Sequence, residues 1–136
     1  MIDNSTFSLT IENYEYVWKV KTLLRASKNL SVIDWPVSDF CLQEWPWAEE
    51  DIKNHIERCL EADLNYPILI WDGKIIDGCH RIIKAIALGQ RKVKAKVIRD
   101  IPAPDEILDF VYNNYENDAR YNFSDVVKIV KTKLSL

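Results

Sequence analysis

Residues that bring ready-made chemistry or cross-links are scarce in this sequence. Its 136 residues include only three cysteines (Cys41, Cys59, Cys79), two histidines (His55, His80), three glycines and one methionine. Three widely spaced cysteines are a poor disulfide framework, and no Cys-x-x-Cys pair occurs. With two histidines, a structural zinc site would need ligands from unusual places, so no metal set is assigned. Free cysteine behaves as a small hydrophobe, and two of the three are expected in the core. No apolar run approaches the roughly 20 residues that span a bilayer. The opening residues Met1 to Ser5 lack the basic and apolar blocks of a secretory leader. The expectation is a cytoplasmic protein with no membrane association.

What is present is a foldable chain with an uneven charge distribution. Apolar residues make up 48% of it, enough to exclude disorder. No internal repeat or long linker divides it, so residues 1–136 read as a single domain. The net charge is −3 overall, but Met1 to Asp72 carries six basic against thirteen acidic residues, a net of −7. Gly73 to Arg99 carries eight basic residues against Asp77 alone, a net of +7, and the remainder carries −3. A basic block inside an acidic protein can focus an anionic ligand; a solvated helix and strand edge rich in lysine is the plainer explanation.

The apolar periodicity suggests the elements. Residues 1–12 read as a short extended or irregular lead. Val17, Val20, Leu23 and Leu24 have helical spacing, so residues 13–29 are predicted as a flanking helix from Tyr14, with Asn13 as a cap. Val32 to Val37 reads as a short strand that Pro36 restricts to an edge. Trp45, Pro46 and Trp47 follow in a loop, either pinning it to the core or facing a ligand. Glu49 to Ala62 is a second helix with Ile52, Ile56, Cys59 and Leu60 as its stripe, and His55 lies beside that stripe.

Pro67 to Trp71 is a continuous apolar run, as in a strand buried on both faces. Asp72-Gly73 signals a hairpin, and Lys74 to Asp77 returns as a strand. Cys79 to Leu88 is helical, with Gly89 as its C′ residue. Lys92 to Ile98 alternates lysine with Val93, Ala95 and Val97. A helix is predicted over Asp105 to Tyr112, and a last one over Phe123 to Leu134 with Ser124 as its cap; together they make 105–134 a flanking helical region.

Candidate chemistry concentrates at Asp77-Gly78-Cys79-His80-Arg81. A strand, a glycine and a helix start leave backbone N–H groups unpartnered, aided by the helix dipole, and so suit an anion. His80 and Arg81 add donors, the Arg81 fork suits two phosphate oxygens, and Lys84 can extend the positive surface. Asp77 can orient His80 or Arg81, hold a metal with the phosphates, or simply accept turn N–H bonds. Cys79, at a helix N-terminus beside His80 and Arg81, is expected to have a lowered thiol pKa. Extra carboxylates are available at Asp39, Glu44 and Glu49.

The stretch from Tyr66 to Ile98 resembles the ParB/sulfiredoxin-like superfamily. The residues that carry the likeness are the strand Pro67 to Ile70, the hairpin at Asp72-Gly73, the Asp77-Gly78-Cys79-His80-Arg81 loop, the helix ending in Leu88-Gly89 and the strand from Val93. With the opening segments from Val32, the resemblance spans residues 32–98. It implies a compact α/β (α+β) domain with a small mixed sheet and added terminal helices. It also implies a nucleotide, ATP or another nucleoside triphosphate with or without Mg²⁺, whose phosphates lie over Gly78, Cys79, His80, Arg81 and Lys84. The leading expectation is phosphoryl transfer or nucleotide hydrolysis, with Asp77 and His80 as catalytic candidates. A second is a non-enzymatic nucleotide sensor. A third is a module for nucleic acid or a partner protein, using Lys92, Lys94 and Lys96 with Arg91 and Arg99. A fourth is a sulfiredoxin-like ATP-dependent reductase, in which the residue matching Cys79 is the nucleophile.

Overall fold

The computed structural model describes residues 5–37, 47–109, 119–121 and 123–135, with side chains described at 5–37, 52–109 and 125–135. In chain order the elements are β1 (Thr6–Ile11), β2 (Tyr14–Lys19), α1 (Val20–Ala26), β3 (Ile33–Pro36), β4 (Trp47–Ala48), α2 (Glu49–Glu61), β5 (Ile68–Trp71), β6 (Lys74–Asp77), α3 (Cys79–Ala87), β7 (Lys92–Ile98), β8 (Glu106–Asp109), β9 (Ala119–Tyr121) and α4 (Phe123–Leu134). The class is α+β, as expected.

The four-stranded sheet has the order β3-β7-β5-β6. β5 and β7 run parallel, with Ile68 opposite Ala95 and Ile70 opposite Val97. β3 pairs antiparallel with β7 at the edge, which is where Pro36 can omit a ladder bond. The β5–β6 hairpin turns through Asp72 (φ 52°) and Gly73 (φ 71°), the paired left-handed residues that a two-residue turn requires.

β5 is apolar throughout because both of its faces are covered. Ile68 and Ile70 join Ile56 and Cys59 of α2, Ile82 and Ile83 of α3, and Val126 and Val130 of α4 in one core. Leu69 joins Trp18, Leu23, Ile76 and Ile98 in a second core on the opposite face, with Phe7 and Trp71 packed against it. The sheet is thus sandwiched between three helices and a layer formed by α1 and the small sheet β1-β2-β8.

That second layer departs from the sequence reading. Tyr14 to Lys19 is a strand, and only Val20–Ala26 is helical. Tyr14, Tyr16 and Trp18 repeat with period two, and their pairing with Ile11, Leu9 and Phe7 fixes the strand, so tertiary pairing overrides the helical spacing that starts at Val17. Asn13 lies in the hairpin turn beside Glu12 (φ 56°) and caps no helix. The predicted helix from Asp105 is, over Glu106–Asp109, a strand paired with β2; Phe110 to Tyr112 lie outside the described residues. Asp105 instead serves α1: its carboxylate accepts the Lys19 N–H (2.7 Å) and the Thr22 hydroxyl (3.0 Å). α4 begins at Phe123, which puts Ser124 inside the first turn and not at the cap.

Among the described residues, no helix is long and apolar enough to cross a membrane. Cys59 is fully buried, Cys79 partly so, and Cys41 lies outside the described residues.

Candidate functional site

The Gly78 loop is set by close packing. Gly78 has φ 107° and ψ 24° and precedes the first residue of α3. A Cβ built on it would sit 2.5 Å from Ile68 Cγ2 and 2.9 Å from Ile68 Cβ. Glycine is therefore required by the approach of this loop to β5, whatever ligand the loop meets.

From that start, helical geometry sends consecutive side chains to different neighbours. Arg81 reaches the head of β5, where Nη1 donates to the Pro67 carbonyl and Nη2 donates to Asp77 Oδ2 at 3.0 Å. Both side chains of this ion pair are largely buried. Asp77 thus takes the orienting role, toward Arg81.

His80 points to α2. One of its ring nitrogens, Nε2, lies 2.9 Å from His55 Nδ1, and the two rings stack at 5.2 Å between centroids. The Cys79 sulfur lies 3.8 Å from His80 Nδ1. Two neutral-ring arrangements satisfy both contacts: the thiol donates to Nδ1 while Nε2–H donates to His55 Nδ1, or His55 Nδ1–H donates to Nε2 while Nδ1–H donates to the sulfur. Electrostatics agree. Burial, then the neighbouring His55, Arg58 and Arg81 charges, depress the His80 pKa from 6.5 to about 4. Burial pushes the Cys79 thiol up from 9.0 to about 11, and the Asp77 carboxylate adds to this. Backbone N–H groups of His80 and Cys79 and the Arg81 charge pull the other way and are outweighed. The expected low thiol pKa is therefore corrected: desolvation dominates at this helix start.

Lys84 also differs from its expected place on a phosphate-facing surface. Its ammonium donates to the Leu60 carbonyl (2.9 Å) and the Ala62 carbonyl (2.8 Å), closing the C-terminal end of α2. Lys96 performs the same task for α1 by donating to the Ser27 and Lys28 carbonyls (3.2 and 3.4 Å). The lysine row of β7 is thus divided, with Lys96 engaged while Lys92 and Lys94 remain exposed.

Lys92 and Lys94 border a cleft of about 260 Å³ that Arg81 also lines. Asn65, Tyr66 and Gln90 contribute further polar edges, and Asp34 of β3, directly across from Lys94, is the one carboxylate among the described residues that line it. The cleft exists because parallel β5–β7 pairing brings the head of β5, where Arg81 is anchored, beside the head of β7. Sequence reading isolated Arg81, Lys92 and Lys94 but did not join them. It passed over Asp34, Asn65, Tyr66 and Gln90, which carry no local signal, and it left His55 unpaired with His80.

Of the sequence-predicted site residues, Asp77, Gly78 and Arg81 are adjacent at the head of β5; Cys79 and His80 face α2, and Lys84 lies at the end of α2. Asp39 and Glu44 fall outside the described residues, as does the side chain of Glu49, and so do Trp45 and Pro46. Among the described residues, no group of three or more His, Cys, Asp or Glu side chains is arranged to hold a metal ion. No family model matches the chain, and no curated protein or solved structure shows significant similarity to it.

Proposed function

We propose that this domain binds a phosphate-bearing ligand of the nucleotide class in the cleft bordered by Arg81, Lys92 and Lys94. The observation that carries the reading is the convergence of these three cations, from two separate segments, on one concave surface. Arg81 is held in place by the Pro67 carbonyl and Asp77, so its guanidinium is oriented in advance and loses little freedom when an anion arrives. Concave placement also concentrates the field of Lys92 and Lys94 in a way that a flat lysine strip would not. Binding is supported better than catalysis, because the candidate reacting groups have internal partners. Asp77 bonds Arg81, His80 bonds His55, and the Cys79 thiol is held protonated at neutral pH.

Calorimetric titration with ATP, CTP, GTP, ADP and AMP, with and without Mg²⁺, tests the reading on wild type and on a Lys92→Gln/Lys94→Gln double variant. Both lysines are exposed, so the variant should fold normally. Saturable binding by wild type, weakened at least tenfold in the variant, is the expected result. Affinity unchanged by the double substitution, or no binding at all, overturns it. Product analysis of the same mixtures then separates a nucleotide sensor from a hydrolase.

A further inference from the structure

We infer that the cleft selects a phosphomonoester of a hydroxylated, ribose-like skeleton over a triphosphate, with Asp34 as its specificity residue; this rests on the proposed phosphate-binding reading. Charge favours a phosphomonoester. Three cations face one carboxylate, and Asp77, bonded to Arg81, reduces the excess further. The net of about +1 that remains lies nearer to the charge of a phosphomonoester, about −1.5 to −2 near neutral pH, than to the larger charge of a triphosphate. The additional phosphates of a triphosphate chain would meet no further cation among the described residues that line the cleft. Size favours it too. At about 260 Å³ the cleft is below the usual range for drug-sized ligands, roughly 300–1,000 Å³.

Asp34 favours a hydroxylated ligand. A carboxylate in a phosphate-binding cleft repels the phosphate, so it weakens a site built for inorganic phosphate alone. It improves a site whose ligand also presents hydroxyl donors, because a carboxylate only accepts hydrogen bonds. Asn65 and Gln90 add amide groups that can donate to or accept from the same hydroxyls. Tyr66, 66% exposed at the rim, offers a ring on which a base can stack. A sugar phosphate and a nucleoside monophosphate share this chemistry, and Tyr66 distinguishes them.

Inorganic phosphate, ribose 5-phosphate, AMP and ATP are titrated into wild type, Asp34→Asn and Tyr66→Ala. Wild type is expected to bind ribose 5-phosphate and AMP more tightly than phosphate, and ATP no more tightly than AMP. Asp34→Asn, a change at an exposed side chain, should leave phosphate affinity equal or higher while the advantage of ribose 5-phosphate over phosphate falls roughly tenfold. If Tyr66→Ala weakens AMP alone, the natural ligand is the nucleotide; if it weakens neither, the sugar phosphate. The assignment to phosphomonoesters stands in both cases, and the second replaces the nucleotide class proposed above with a sugar phosphate in the same cleft. ATP binding more tightly than AMP, or a phosphate-to-ribose 5-phosphate ratio unmoved by Asp34→Asn, overturns the inference. When ligands still bind and the Lys92→Gln/Lys94→Gln variant loses them, the proposed function survives that failure. Wild type binding none of the four compounds overturns both.

Discussion

The two sides of α3 solve opposite electrostatic problems. Toward α2 the helix presents His80 and Lys84, and both side chains have internal partners there: His80 with Cys79 and His55, and Lys84 with two carbonyls. Toward the heads of β5 and β7 it presents Arg81, with exposed Lys92 and Lys94 beside it and one carboxylate opposite. On the first side the donors, Lys84 included, are spent inside the fold, and the second side carries exposed cations. The exposed charge of Lys92 and Lys94, beside an Arg81 anchored by Asp77 and Pro67, is why the ligand is sought there and not beside the cysteine.

Gly78 underlies both sides, so replacing it should have the largest effect. Gly78→Ala forces a side chain into a backbone conformation that L-residues rarely adopt and into Ile68. A loss of about 3 kcal/mol is expected, from strain plus overpacking, with binding lost as the loop shifts. Chemical denaturation checks it; a variant as stable as wild type would mean that the loop and β5 are not in contact. Arg81→Ala is expected to cost less stability, about 2 kcal/mol, because it removes the side-chain donor to the Pro67 carbonyl and the ion pair with Asp77. Unlike Gly78→Ala, it should abolish ligand binding in protein that remains folded. Arg81→Lys should recover part of the stability but not the affinity, since an ammonium cannot reproduce the two-pronged contact.

How much of this was legible in the sequence follows from the range of each signal. The centre of the domain is encoded locally. The apolar run at Ile68 to Trp71, the Asp72-Gly73 turn, the Gly78 break and the Lys92 to Ile98 alternation each act within a few residues, and each element lies where its signal falls. The hairpin layer is encoded at long range. β8 becomes a strand only by pairing with Tyr14 to Val17, about ninety positions earlier, and its own four residues are all exposed. Site residues divide the same way. Gly78 and Arg81 were found from a local motif, while their partners Ile68 and Pro67 lie at the head of the neighbouring strand. The low thiol pKa expected for Cys79 failed because helix position is visible in a sequence and depth of burial is not.

The side toward α2 can be probed through pH. The folded-state pKa of His80 is depressed from 6.5 to about 4, so the unfolded chain binds the proton first on acidification. Stability should be full above about 6.5 and fall as pH drops toward about 4. For Cys79 the shift is upward, from 9.0 to about 11, so stability should persist below about 9 and fall as pH rises toward about 11. Buried Cys59, raised from 9.0 to about 12 by desolvation and the neighbouring Cys79, extends the same alkaline loss. Each limb has a limiting slope of about 1.4 kcal/mol per pH unit for one group, reduced by partial exposure. Thermal melts from pH 4 to pH 10 should show a plateau between the limbs, and His80→Leu should flatten the acid limb alone. An acid limb of equal depth in that variant would assign it to the carboxylates. At neutral pH the Cys79 thiol should also react with a disulfide reagent more slowly than free cysteine; faster reaction would restore the activated-nucleophile reading.

The smallest effect expected is the one that best separates the two sides. Lys84→Met keeps the aliphatic stem that crosses from α3 to α2 but removes the donor to the Leu60 and Ala62 carbonyls. The carbonyls at the end of α2 border solvent and can turn to water, so the cost should be only about 1 kcal/mol. Ligand affinity should not change, because the ammonium is committed to α2 and is absent from the cleft lining. Had Lys84 joined Arg81 in holding phosphate, the reverse pattern would follow, with stability unchanged and affinity reduced together with the salt dependence of binding. Measuring the denaturation midpoint and the dissociation constant on one preparation therefore decides whether the positive charge of α3 faces one ligand or is divided between a ligand and a neighbouring helix.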